Sequence, residues 1–299
     1  MKLTRSALDT ILTGYSAKLN EGLSKANTDF EKWCDVVSSA DKIESYPMMQ
    51  LNSGMTAWIG ERVISKFSGK MTKIENLPFQ NAVKVNRDDL FYDKMNLYNS
   101  KFVDLGISAS NLWPKLAAIV LLSNPKWADG KNFFCSDREI NDDDASILLD
   151  NLVAGGFSVE NYAAARLKGR KMTDSNGDPL ELVHNLLIVG PKHERLANKM
   201  KNSDFLEDGV TNDFKGSFEL EVNGRFIGDY EDDFRLLCTT RGAKPVIVQK
   251  VKEGGLVAVD DEKDSHVFKT NENLYGIHYI GNAGPGLPQL CVAGIPAST

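Results

Sequence analysis

The chain of 299 residues carries 35 Lys and Arg against 41 Asp and Glu, a formal charge of −6, with 42% hydrophobic and 25% charged residues. This is the composition of an ordinary globular protein, long enough to remove about three quarters of its unfolded surface from water. It excludes wholesale disorder and any bulk electrostatic attraction to nucleic acid or an anionic membrane. Leu3, Ala7, Leu8, Ile11, Leu12, Tyr15 and Leu19 fall at helical spacing among charged residues, which predicts an amphipathic first helix rather than a targeting signal. Thr4 or Ser6 caps its start, and Gly22 is placed to end it in a left-handed conformation. Thr28 to Val37 reads as a short second helix, Ser38 to Ser53 as a loop or extended arm, and Trp58 to Phe67 as a further helix stopped by Ser68-Gly69. Met71 to Val85 reads as two short extended segments around Asn76 to Asn81, a candidate hairpin with little core of its own that must lie on another surface.

From Asp88 to Ser123 the apolar residues Tyr98, Phe102, Leu105, Ala109, Leu112, Leu116 and Val120 recur every three or four positions, the pattern of a long helical spine. Acidic Asp88, Asp89 and Asp93 suit its N-terminal end, and Pro114 predicts a break or bend near Asn111 to Pro114. The continuous apolar run Leu116 to Leu122 is too short to cross a bilayer. Further on, the sequence predicts a loop at Asn124 to Glu139, an N-capped helix over Ala145 to Val153, a helix at Val159 to Lys168 and a turn at Thr173 to Pro179. A buried strand follows at Leu186 to Val189, then a helix from Pro191 to Met200. Strands are predicted at Phe218 to Val222, Phe226 to Ile227, Phe234 to Cys238, Val246 to Val251, near Ala258, at His266 to Thr270 and at Tyr275 to Ile280, before a turn-rich tail from Gly281. Helices and strands do not alternate regularly, so the fold class is α+β, and no internal repeat is present.

Chemistry is sparse. His184, His193, His266 and His278 show no ligand spacing, and Asp174, Asn176 and Asp178 begin like a calcium loop but meet Pro179 where the loop needs glycine. Asp142, Asp143 and Asp144 suit a helix start, and Gly281, Gly284 and Gly286 have no helix after them to cradle a phosphate. The four scattered cysteines, Cys34, Cys135, Cys238 and Cys291, suit buried thiols in a reducing compartment. Trp33, Trp58, Trp113 and Trp127 sit in apolar patterns without clustered cations, which favours packing over base stacking. No motif calls for an enzyme, a metal or a cofactor.

Several segments in order resemble a known family. They are Trp58-Ile59-Gly60-Glu61-Arg62, Ile74-Glu75-Asn76 with Phe79, Val85-Asn86-Arg87-Asp88-Asp89, Asp129-Gly130 with Phe133-Phe134, Leu187-Ile188-Val189-Gly190-Pro191, Lys244-Pro245 with Gln249, and Tyr275-Gly276 with Gly281-Asn282-Ala283-Gly284. Together they resemble the major head (capsid) protein of Mu-like tailed bacteriophages, gpT, with one departure at Pro288, where the family's closing segment carries an aromatic residue. The resemblance implies the Hong Kong 97-type capsid fold: an N-terminal arm at 1–50, an extended loop and peripheral domain with the spine at 51–123, an axial domain at 124–258 and a return to the peripheral domain at 259–299. The loop itself is expected around Met71 to Val85, and an assembly interface at Ile74, Leu77, Phe79, Arg87 and Trp58.

The implied function is structural, without catalytic residue or cofactor: hexamers and pentamers of the chain close into an icosahedral head, made in the host bacterial cytoplasm, around double-stranded DNA. Net acidity suits such a container, because a basic wall would trap the polyanion. Implied partners are a scaffold, a maturation protease, a portal and decoration proteins, without membrane or sequence-specific DNA contact. No scaffold-like charged extension precedes Leu3, so the scaffold is expected to be a separate chain. Two other readings stand beside this one, an encapsulin-like nanocompartment shell and an enzyme whose site no motif reveals.

Overall fold

Helix α1 (Arg5–Leu23) starts where expected, with the Thr4 hydroxyl accepting from the Ala7 amide. The computed structural model describes residues 3–26, 28–47, 51, 70–92, 94–141, 144–206 and 209–297. Gly22 does not end the helix. It lies inside α1 against Gly106, and a Cβ on either glycine would run into the backbone of the facing helix. That facing helix is α3 (Asn99–Ser110), the first half of the spine; α4 (Leu112–Ser123) is the second. The break falls at Asn111 as expected, with Pro114 in the first turn of α4, where its missing amide costs no helical bond. Asn86 caps a short preceding helix, α2 (Arg87–Phe91), through the Asp88 amide. The whole stretch Asn96–Ser123 is long and apolar enough, by composition, to cross a membrane. Its apolarity has a use within the chain, because Phe102, Leu105, Trp113, Ala117 and Leu121 are buried in the main core.

That core lies between these helices and a five-stranded sheet. Its central strand is β13 (Glu272–Pro285), flanked on one side by β4 (Leu77–Asn86) and on the other by β11 (Val246–Glu253) and then β12 (Val257–Val259). Strand β1 (Cys34–Ser38) runs parallel to β11. A second five-stranded sheet has the order β7 (Leu152–Ala154), β14 (Cys291–Ile295), β10 (Phe234–Leu237), β8 (Leu186–Val189), β9 (Glu219–Val222). Its two faces alternate by residue, as the period of two requires. Leu186, Ile188, Leu237, Cys291 and Ala293 join the main core, whereas Leu187, Val189, Leu236 and Val292 join a second core with residues of α5 (Val159–Arg170) and α6 (Glu194–Asn202). Arg235 on β10 ties sheet and spine together: it donates to the Leu121 carbonyl at 2.9 Å and to Asp233 at 2.9 Å. At the edge, Trp33 donates to Glu221 on β9 at 2.9 Å.

The sheets divide the chain differently from the expected boundaries. Strand β11, placed in the axial stretch, and β12, which straddles its boundary at 258, belong to the first sheet, and β14, placed in the return, belongs to the second. Several elements differ as well. Thr28 to Val37 is a 3-10 turn (Asp29–Lys32) followed by β1, because Val36 and Val37 pair with β11. Residues 145–153 form no helix: Asp144 accepts from the Ser146 amide to make a turn, and β6 (Leu148–Leu149) pairs with β5 (Arg138–Glu139). Phe226 and Ile227 lie outside any strand. Residues 265–270 are a helix, α7 (Ser265–Thr270), capped by Asp264 through the His266 amide. The glycine-rich tail is not a turn segment, since β13 runs on to Pro285 and β14 is wholly buried except at Ile295. The helix expected over 58–67, along with Asp93, Asp142 and Asp143, lies outside the described residues.

Candidate assembly surface

The segment from Met71 to Val85 is extended, but it is not a hairpin. Strand β3 (Met71–Glu75) pairs antiparallel with β2 (Ile43–Pro47), and β4 pairs with β13 from Asn86↔Glu272 to Leu77↔Gly281. The chain changes partner at Asn76, whose side-chain amide donates to Ser39 and to the Asp41 carbonyl, both at 2.8 Å. The β2–β3 ribbon lies on the first sheet. Gln249 donates to the Tyr46 hydroxyl at 2.7 Å, and Asn282 to the Glu75 carbonyl at 2.7 Å. Gly284 leaves the room that Ile74 fills, while Gly281, on the same strand, leaves room for Trp113 of the spine. Ile43 and Met71 are about half exposed on the ribbon, and residues 48–70 join its two strands.

The expected interface residues therefore separate. Ile74 is 3% exposed and packs within its own chain. Arg87 turns inward, donating to the Asp260 carbonyl and to the Asn273 side chain, both at 2.9 Å, with Arg5 on the other side of Asp260. Phe79 is half-buried opposite Tyr279 and packs against the main core. Leu77 is 43% exposed. Trp58 lies outside the described residues. Of the four that can be placed, Leu77 and Phe79 share a strand and remain open to solvent.

Next to them, where β4 and β13 meet the break in the spine, runs a groove of about 390 Å³. Its floor is Phe79, Leu112, Ile277 and Tyr279; Gln80, Asn81, Lys115 and Arg225 stand around it. Sequence reading passed over Lys115 and Arg225, because charged residues on a helix and in a turn carry no mark of a shared groove. It also passed over the buried Arg138 and Arg235. An arginine between Phe234 and Leu236 in an apolar strand was the available signal for the second. Among the described residues, no three His, Cys, Asp or Glu side chains gather as a metal site would require. Burial holds the Cys34 thiol well above its ordinary range and pushes Cys291 up to about 12, so neither is poised as a nucleophile.

The sequence profile of the Mu-like prophage major head subunit gpT family matches residues 8–157, 152–227 and 223–295. The chain belongs to this family. It is 22% identical over 293 residues to the Mu-like prophage FluMu major head subunit of Haemophilus influenzae, covering 97% of this chain and 74% of that protein. It is 23% identical to the major capsid protein of Escherichia phage Mu, covering 98% and 75%. Among solved structures, a chain of the bacteriophage JBD30 procapsid superposes with a TM-score of 0.61 at 18% identity, covering 99% of this chain and 77% of that one. The head subunit thus has the α+β fold of Hong Kong 97-type capsid proteins, and its role is structural.

Proposed function

We propose that many copies of this subunit close, as hexamers and pentamers, into the icosahedral head of a tailed bacteriophage that encloses double-stranded DNA. The observation that carries this reading is the family match along nearly the whole chain. The first sheet with its spine takes the part of the peripheral domain, and the second sheet with α5 and α6 that of the axial domain. The β2–β3 ribbon takes the part of the extended loop, of which only the β3 half lies in the segment expected from Met71 to Val85. Scaffold, maturation protease, portal and decoration proteins are proposed partners, and the net charge of −6 keeps the packaged polyanion from adhering to the wall.

Electron microscopy of the purified protein, expressed with and without its neighbouring head genes, tests the reading. Closed shells holding DNA of genome length support it; shells holding an enzyme cargo support a nanocompartment; a subunit that forms no shell under either condition overturns both. Phe79 does not isolate the interface, because its ring also packs on the subunit's own core. Leu77→Ser does. It should leave the circular dichroism of the subunit unchanged while removing about 1 kcal/mol per contact, raising the concentration at which shells form. Shell yield equal to wild type would place Leu77 outside the interface.

A further inference from the structure

Two cations stand at one groove without a use inside the subunit. Among the described residues, Lys115 on α4 and Arg225 in the turn after β9 are exposed, and neither side chain joins an ion pair or hydrogen bond, although the chain carries 41 acidic residues. They belong to different layers of the fold, yet both line the groove whose floor includes the half-buried Phe79 and Leu112. We propose that this groove receives an acidic segment with apolar side chains from a second copy of the chain, an inference that rests on reading the chain as a shell subunit.

Charge favours that occupant. Each copy is acidic overall, with a net charge of −6, while the charged side chains at the groove are Lys115 and Arg225, so a neighbouring copy carries more carboxylates than cations to set against them. The attraction acts over roughly 8–10 Å in physiological salt, which makes it a force of orientation and contact rather than of long-range steering. Apolar burial supplies the rest. An aromatic floor beside an arginine is the combination that concentrates binding energy at protein interfaces. The position also suits a repeated contact. Among the described residues β4 pairs with β13 alone, leaving its outer edge open. Asn81 guards only part of that edge, accepting from the Ala82 amide at 2.9 Å and donating to Ser108 at 3.1 Å. A head-to-tail contact on such an edge recurs at every subunit of a closed ring.

The test uses shells assembled from an equal mixture of unlabelled and ¹⁵N-labelled chain, treated with a zero-length carbodiimide and digested for mass spectrometry. Lys115 should be joined to carboxylates in mixed-label pairs. Links from Lys115 only within one chain, only to another protein of the particle, or to nothing would each overturn the proposal. A Lys115→Glu/Arg225→Glu variant, altered only at exposed positions, should keep the melting temperature of the subunit and need a roughly tenfold higher concentration to form shells. Assembly at the wild-type threshold would count equally against the groove. Wild-type chain that formed no shell at all would instead count against the reading of the chain as a shell subunit.

Discussion

His184 is enclosed between α5 and the turn at Pro288–Leu290, 5% exposed, with Nε2 donating to the Gln289 carbonyl at 3.1 Å and Nδ1 without a partner. Burial is the main cause that lowers its pKa from 6.5 to about 4, and Arg170 adds to the shift. The unfolded chain takes up this proton near the ordinary histidine value, whereas the folded chain resists it. The contribution to stability is therefore complete above about pH 6.5 and is lost as the pH falls towards about 4. Melting curves between these values should show wild type losing stability relative to His184→Gln; parallel curves would show that His184 carries none of the acid sensitivity. Other residues were legible without the fold. Asp174 makes the polar turn its spacing suggested, accepting from the amides of Asn176 at 2.8 Å and Asp178 at 3.1 Å. Arg87 was not, because its partners Asp260 and Asn273 lie far along the chain and no local pattern shows which way a side chain at a helix start will turn.

Among the elements, α1 and the spine meet through glycine. Gly22 and Gly106 bring the two backbones into contact, whereas Gly14, on the same α1, has nothing near its absent Cβ. Gly22→Ala should therefore destabilise the subunit by about 1–3 kcal/mol through overpacking, while Gly14→Ala should stabilise it by about 0.5–1 kcal/mol through helix propensity alone. Denaturant titration of the two variants distinguishes these effects, and equal shifts would show that the helices do not approach at Gly22. The helices α1, α3, α4, α5 and α6 could be read from spacing, with α1 and α5 also marked by the capping side chains of Thr4 and Ser158. Residues 145–153 and 265–270 could not. The first carries helix-compatible leucines that the second sheet's edge and β5 draw into strands, and the second is short enough that one Asp264 cap decides it.

For the molecule as a whole, Arg235 is a polar side chain that joins the second sheet to the spine, beside the apolar contacts of the shared core. It is fully buried between the rings of Phe134 and Phe226, with Asp233 as its charged partner. Burial pulls the guanidinium down and pushes the Asp233 carboxyl up, and their mutual attraction offsets part of both shifts. Removing one partner strands the other, so Arg235→Met should cost about 3–5 kcal/mol. Adding Asp233→Asn should recover part of that loss, and strictly additive effects in a double-mutant cycle would show that the pair is not coupled. The α+β class, the spine with a break near Asn111 to Pro114, the family and hence the structural role are legible in the chain alone, because they depend on local periodicity and on short segments in a fixed order. The folded chain was needed to see that Met71 to Val85 is two strands with different partners, that the last strand belongs to the second sheet, and that Ile74 and Arg87 face inward. Strand pairing and burial depend on residues distant in the chain, and an extended segment carries the same alternating pattern whether its partner is its neighbour, a remote strand or another copy.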